Sequence, residues 1–280
     1  MFAFTEIDEF EITNETCFIC GQPATTKEHL FPKWLQHRFN LWNQRLQIPN
    51  NTTISYRQLV VPCCTKCNNE AFATLEAKLS SNTETTADVW RWANKIHFGL
   101  TLKDRFLDWD RKNPRYKIGD VISPSDPLEQ SRHFLHCVTG LFQTDPDPFG
   151  SVFKFTFREP QDYNFMHIIN SSSIYICLGD RGYIVFIRDG NYLQNLATVK
   201  EDVKQLQSKA TLAEVDMRFF YAKLLEYSER IQITFPVIVM PGKIVRAGGI
   251  TIRKENPVNK DLLRAICNRF GITWIDNGAV

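Results

Sequence analysis

The sequence predicts a mixed α+β protein in three stretches, 1–82, 83–130 and 131–280. Three observations predict it. Two Cys-x-x-Cys pairs, Cys17 with Cys20 and Cys64 with Cys67, bracket the first stretch. Val89, Trp92, Ala93, Ile96 and Leu100 then recur at the spacing of one apolar helix face, broadened by Trp90 and Phe98. Further on, Phe153, Phe155 and Phe157 alternate with Lys154 and Thr156, the period-two pattern of a half-buried strand. With 280 residues, 43% hydrophobic and 23% charged, the chain is large and apolar enough for one large or two modest cores, and disorder does not describe it.

Within the first stretch, Pro32 can open a short helix from Lys33 to Trp42, with Leu35, Phe39 and Trp42 on one face and Lys33, His37, Arg38 and Arg45 left for the other side and its end. Phe72, Leu75 and Leu79 share a second helix face, so a helix runs from about Asn68. That puts Asn68 in its first turn and Glu76 about 12 Å further along the axis. Leu79 to Thr86 reads as a break and a fresh start, leading into a connecting helix or helix pair interrupted at Gly99. Pro114, Pro124, Pro127 and Gly119 argue for an extended connection over 113–130.

The last stretch reads as strands and helices without repeats. Ile174–Leu178 and Tyr183–Ile187 flank Gly179-Asp-Arg-Gly182 as a hairpin. Thr211 and Glu214 form a capping-box pattern ahead of a helix through Val215, Phe219 and Ala222. Ile231–Met240 is a strand that Pro236 pushes to a sheet edge, and Asn259–Phe270 is a last helix closed by Gly271. No phosphate loop, nucleophile elbow or dinucleotide fingerprint occurs there.

The acids at Glu6, Asp8 and Glu9 oppose a signal peptide, and no run of about 18 apolar residues is present, so a cytoplasmic protein with no membrane partner is expected. In a reducing compartment eight cysteines do not suggest a disulfide framework. Cys137, Cys177 and Cys267 stand singly in apolar surroundings as buried thiols. The clustered cysteines read as metal ligands: a structural zinc takes four thiolates in a tetrahedron, and two Cys-x-x-Cys turns supply two each. Cys63 offers an alternative to Cys64, which is preferred for its two-residue gap to Cys67. A net charge of +2 decides nothing about nucleic acid.

Between the pairs lies Glu28-His29-Leu-Phe-Pro32, its His29 nine residues past Cys20, and Asn68 directly follows Cys67. Together, Cys-x-x-Cys, Glu-His-Leu-Phe-Pro-Lys-Trp-Leu and Cys-x-x-Cys-Asn resemble the HNH endonucleases, the His-Me finger or ββα-metal nucleases in their zinc-bound treble-clef form. The resemblance covers roughly residues 15–80. It implies an N-terminal HNH domain held by structural Zn²⁺, with His29 as general base and Glu28 and Asn68 as ligands of a catalytic Mg²⁺ or Mn²⁺. A neutral imidazole can take a proton from water, and hard oxygen ligands leave most of a Mg²⁺ shell open.

Two departures stand beside this match. Glu-His replaces the commoner Asp-His, and the middle Asn of the motif lacks a counterpart before the second cysteine pair. Gln58, Arg57, Asn50 or Asn51 are the alternatives for orienting the base, and Glu76 is either a supporting partner or a solvated helix residue. Lys33, Arg38 and Arg45 are candidates for contacting a nucleic-acid backbone.

The resemblance therefore implies a phosphodiesterase acting on nucleic acid, DNA ahead of RNA, in a setting analogous to prokaryotic defence or mobile elements. Residues 131–280 are expected to serve recognition, dimerisation or regulation, through a homodimer or a regulatory protein partner. The alternative is a non-catalytic zinc-finger adaptor.

Overall fold

Thr26–His29 forms strand β1, and the chain then makes an excursion before its partner strand arrives. The excursion contains helix α1 (Lys33–Arg38), a hairpin of β2 (Arg45–Gln47) with β3 (Thr53–Ser55), and a 3₁₀ turn over Tyr56–Gln58. Strand β4 (Val60–Cys63) returns antiparallel to β1, with Thr26 opposite Cys63 and His29 opposite Val60. The computed structural model describes residues 13–121, 127–230, 233–234, 237–246, 251–252 and 258–273. Helix α1 is shorter than the sequence suggests, because Asn40 takes a left-handed φ of 52° that ends the helical path before Trp42.

After β4 the chain enters a helix whose second turn is a π-helical segment, Cys67–Phe72, continuing as α2 (Ala73–Ser81) to a left-handed cap at Asn82. Helix α3 (Thr86–Phe106) starts at a capping box: Asp88 N–H donates to Thr85 Oγ1 and Thr85 N–H to Asp88 Oδ2. It runs unbroken through Gly99, where an interruption was expected. A Cβ at Gly99 would lie 2.0 Å from Leu30 Cδ2, so this glycine serves close packing and not a break. Two short helices, α4 (Ile118–Val121) and α5 (Pro127–Leu135), stand within the stretch expected to be an extended connection. Proline is tolerated at a first helical position because no intrahelical N–H is needed there.

The core shows why residues 83–130 are not a free-standing connector. Phe18, between the first two cysteines, stacks on Phe72 at 5.8 Å and on Phe98 of α3 at 6.1 Å. On the other side of α3, Trp90 meets Phe134 edge-on at 5.4 Å, and Asn94 Nδ2 donates to Ser131 O at 3.0 Å. The chain divides into two compact units, Met1–Asp147 with Val239–Val245, and Pro148–Ile238 with Arg246–Val280. The first unit closes with β5 (Gln143–Asp145).

In the second unit β6 (Ser151–Thr156), β7 (Asn164–Ile168), β8 (Ser173–Cys177) and β9 (Arg181–Phe186) make an antiparallel sheet in the order β6-β9-β8-β7. The expected hairpin is β8–β9. Helices α6 (Tyr192–Asn195) and α7 (Ala197–Gln207) precede α8 (Glu214–Arg230). Phe220 of α8 meets Phe153 at 5.3 Å, and Tyr221 stacks on Tyr175 at 5.5 Å, which makes the main core. The start of α8 differs from the expected capping box: Asp216 Oδ2 accepts the Ala213 N–H, while Glu214 takes a hydrogen bond from Asn164 Nδ2 at 2.9 Å.

Beyond α8, β10 (Ile233–Thr234) and β11 (Val237–Met240) occupy the predicted strand; Pro236 lies outside the described residues. Strand β11 is at the edge of a sheet in which β12 (Lys243–Arg246) pairs in parallel with β5. Strand β13 (Thr251–Ile252) pairs with β10. Helix α9 (Lys260–Arg269) is capped by Asn259, whose side chain accepts the Leu262 N–H, and ends at Gly271 with φ 66°.

Candidate functional site

The first four ligand candidates meet in space. The sulfurs of Cys17, Cys20, Cys64 and Cys67 all lie within 4.8 Å of one another. Four thiolates around zinc at about 2.3 Å would sit about 3.8 Å apart. Cys20 Sγ is 3.7 Å from Cys64 Sγ and 3.6 Å from Cys67 Sγ, so the donor set fits a zinc ion.

Local backbone builds each half of this cluster. Gly21, at φ 71°, lets its N–H turn back to Cys17 O at 3.0 Å, and only a left-handed residue closes so tight a knuckle. On the other half, the helix entry brings the Cys67 N–H to Cys64 Sγ at 3.4 Å. Burial pushes the Cys20 thiol up to about 11. The Cys67 thiol is raised as well, first by its hydrogen bond with Cys17 and then by burial. The Cys17 thiol is lowered instead, by its hydrogen bonds with Cys63 and Cys67, so the protein alone does not ionise the four together and a cation is what would keep them all as thiolates. Cys63, the alternative ligand, points its sulfur at Cys17 from outside the set at 3.9 Å and is buried on β4.

Glu28 and His29 are neighbours on β1 and so face opposite sides of the strand. Glu28 faces inward, is 5% exposed, and meets a cation already supplied by the chain. The ammonium of Lys95, fully buried on α3, contacts Glu28 Oε1 and Glu76 Oε1 in two very short ion pairs and donates to His29 O at 2.9 Å. Its Nζ also lies 4.9 Å from the centre of the Phe72 ring. Burial works against this ammonium, but the charges of Glu76 and Glu28 outweigh it and its pKa is raised. Burial also raises the Glu76 carboxyl, against the pull of Lys95. A proton on Glu76 leaves Glu28 and Lys95 as a neutral pair. Glu76 is thus a partner within this cluster and not a solvated helix residue.

Asn68 has a different engagement. Its Nδ2 donates to Thr26 Oγ1 at 3.0 Å and lies 3.4 Å from Lys27 O, tying the helix entry to β1. Asn68, Phe72 and Glu76 follow one another at four-residue spacing along one helix face. The buried Phe72 ring is the member between the carboxamide and the carboxylate. Glu28 is thus engaged by an ammonium, and Asn68 by the backbone and side chain of β1. As arranged, Glu28 carries an ammonium where the expected ligand set would place a divalent ion.

His29 lies on the other face of β1, half-buried, with its ring stacked on Trp42 at 6.1 Å. His37 stacks on the same indole at 5.5 Å. Burial first, then the Lys33 and Lys95 charges, lowers the His29 pKa against an opposing contribution from Glu28, so the imidazole is neutral at pH 7. Of the candidate substrate contacts, Lys33 and Arg38 are exposed on α1. Arg45 braces its own hairpin, donating from Nε to Thr53 Oγ1 at 2.6 Å. Gln58 Oε1 accepts from Ser55 Oγ at 2.6 Å in the cap of its 3₁₀ turn, Arg57 donates to Asn43 Oδ1 at 3.0 Å, and Asn50 donates to Asp108 O at 2.7 Å. Asn51 Oδ1 is 3.4 Å from Gln47 Nε2. Each of these four alternatives thus has a partner other than His29.

Lys95 is the residue that sequence reasoning missed. At helical spacing Lys95 falls beside Asp88 and Arg91, on a side of α3 that reads as polar, so no local signal marks it as buried. Trp42, the shelf under His29, carried no such signal. Family models, curated proteins and solved structures show no match to this chain.

Proposed function

We propose that the N-terminal unit is a zinc-held treble clef of the ββα type and hydrolyses phosphodiester bonds in nucleic acid, DNA ahead of RNA, with His29 as general base. One observation carries the reading. The strand bearing Glu28-His29, its antiparallel partner and the helix bearing Asn68 are assembled around one four-cysteine cluster, with Asn68 hydrogen-bonded to that strand.

Within this reading, the half-exposed His29 is the group that can take a proton from an attacking water, and its lowered pKa keeps it neutral for that task. Trp42 fixes the ring plane, and Lys95 fixes the strand through the His29 carbonyl. Zinc would be held by Cys17, Cys20, Cys64 and Cys67 and would supply folding energy. A divalent ion bound near His29 would supply charge neutralisation at the phosphate. Glu28, already paired with Lys95, is not free to hold it as arranged.

The same ion pair favours a second reading, a zinc-bound adaptor that binds nucleic acid without cutting it. Incubating supercoiled plasmid with the full chain and Mg²⁺ or Mn²⁺, beside His29→Ala and an EDTA control, separates the two. Nicking or linearisation that falls at least 100-fold in His29→Ala is the expected result. Equal traces in both proteins with every metal would leave the adaptor.

A further inference from the structure

The excursion between β1 and β4 builds more than a bridge across the hairpin. Together with the C-terminal end of α3 it walls a cleft of about 660 Å³ that includes Arg45, Arg57, Lys103 and Arg111. Its only carboxylate among the lining residues, Asp108, is spent on Lys117 at 2.6 Å. Arg45 and Arg57 bond to neutral oxygens of Thr53 and Asn43, and Lys103 lies 3.4 Å from Val60 O. The four cations thus lack acidic partners within the cleft, and low-dielectric walls concentrate their field on an anion.

The rim adds a different chemistry. Residues 107–118 form a hairpin-like loop, closed by Ile118 N–H to Leu107 O at 2.8 Å and Trp109 N–H to Tyr116 O at 2.9 Å. It carries Trp109, 39% exposed, and Tyr116, 60% exposed, beside Arg111. No aromatic ring lines the cleft itself. Cations inside and bare aromatic faces at the edge are the combination that tracks a phosphate backbone and stacks unpaired bases. A duplex would hide those bases. Val60, in the cleft wall, is the residue paired with His29 across the hairpin, so the cleft adjoins the strand that bears the imidazole.

We infer that this cleft binds a single-stranded stretch of nucleic acid, its phosphates on Arg57, Lys103 and Arg111 and its bases on Trp109 and Tyr116. Only the further idea that His29 acts on the bound strand rests on the phosphodiesterase reading. The test is fluorescence anisotropy with labelled oligonucleotides of about 16 nucleotides. Single-stranded DNA, single-stranded RNA and duplex DNA are titrated over a salt series, on a His29→Ala background. Arg57→Ala combined with Arg111→Ala should flatten the slope of log affinity against log salt by about 0.7 per arginine on single strands. Trp109→Ala and Tyr116→Ala should each weaken single-strand binding about tenfold and spare the duplex. Lys260→Ala, in the second unit, should change neither.

An unaltered slope in the double arginine variant, unaltered affinity in both aromatic variants, or equal losses on duplex would each overturn the cleft. Binding that follows expectation while native His29 gives no cleavage keeps the cleft and removes the hydrolase. Cleavage that persists with an unaltered slope does the reverse.

Discussion

Lys95 shows how much one side chain can decide at this site. An ammonium with no exposed surface is stable only because Glu28, Glu76 and the His29 carbonyl surround it, and those carboxylates are equally dependent on it. Lys95→Met should lower unfolding free energy by about 3–5 kcal/mol in urea titrations, because it strands buried carboxylate. Adding Glu28→Gln and Glu76→Gln to it should restore much of the loss, whereas a single variant as stable as the parent would mean the cluster is not held by charge. Asp104, near the end of the same helix, is the opposite case. Burial without a counter-charge pushes its carboxyl up to about 7. Its folded pKa is above its unfolded one, so the protonated form favours the fold; that contribution is complete below about pH 4 and disappears as pH rises through about 7. Asp104→Asn should therefore stabilise the protein by about 1–3 kcal/mol at pH 8 and by little at pH 4. An equal effect at both pH values would argue against a titrating carboxyl.

At the level of elements, α3 is the spine against which the hairpin is registered. Gly99 permits this: its missing Cβ makes room for Leu30, the residue immediately after His29. Gly99→Ala should cost about 1–3 kcal/mol by overpacking and displace the end of β1. Leu30→Ala in the same chain should relieve part of that clash, and additivity of the two changes would show that they do not touch. Periodicity found α3, a long run with one apolar side, while the hairpin β8–β9 was legible from two continuous apolar runs around Gly179-Asp-Arg-Gly182, and both of its strands are buried throughout. It misplaced the break at Gly99 because glycine's low helix propensity says nothing about what stands opposite it. It also put the start of α8 on Thr211, where Asp216 reaches back to Ala213 instead.

For the whole molecule, the two compact units carry different kinds of core. The second rests on aromatic contacts between α8 and its sheet, and the first on aromatic contacts around α3 joined to the four-cysteine cluster. Purified protein should contain about one zinc per chain, retained in Cys63→Ser and lost in Cys20→Ser. Chelation should lower one calorimetric unfolding transition and leave a second nearly unmoved; a common shift of both would show that the units unfold together. Among the described residues no helix is long and apolar enough to cross a membrane.

Cysteine spacing by itself pointed to the four sulfurs that cluster, because a Cys-x-x-Cys turn brings its two sulfurs together whatever surrounds it, and periodicity found the long helices and the apolar strands for the same local reason. Adjacency to Cys67 also placed Asn68 beside the cluster. What Glu28 contacts, which surface of the strand His29 presents, and where the uncompensated arginines gather were decided only by tertiary structure. Each depends on residues distant in sequence, Lys95, Trp42 and the 107–118 loop, whose approach is set by the packing of α3 against the hairpin, and no local pattern encodes that distance.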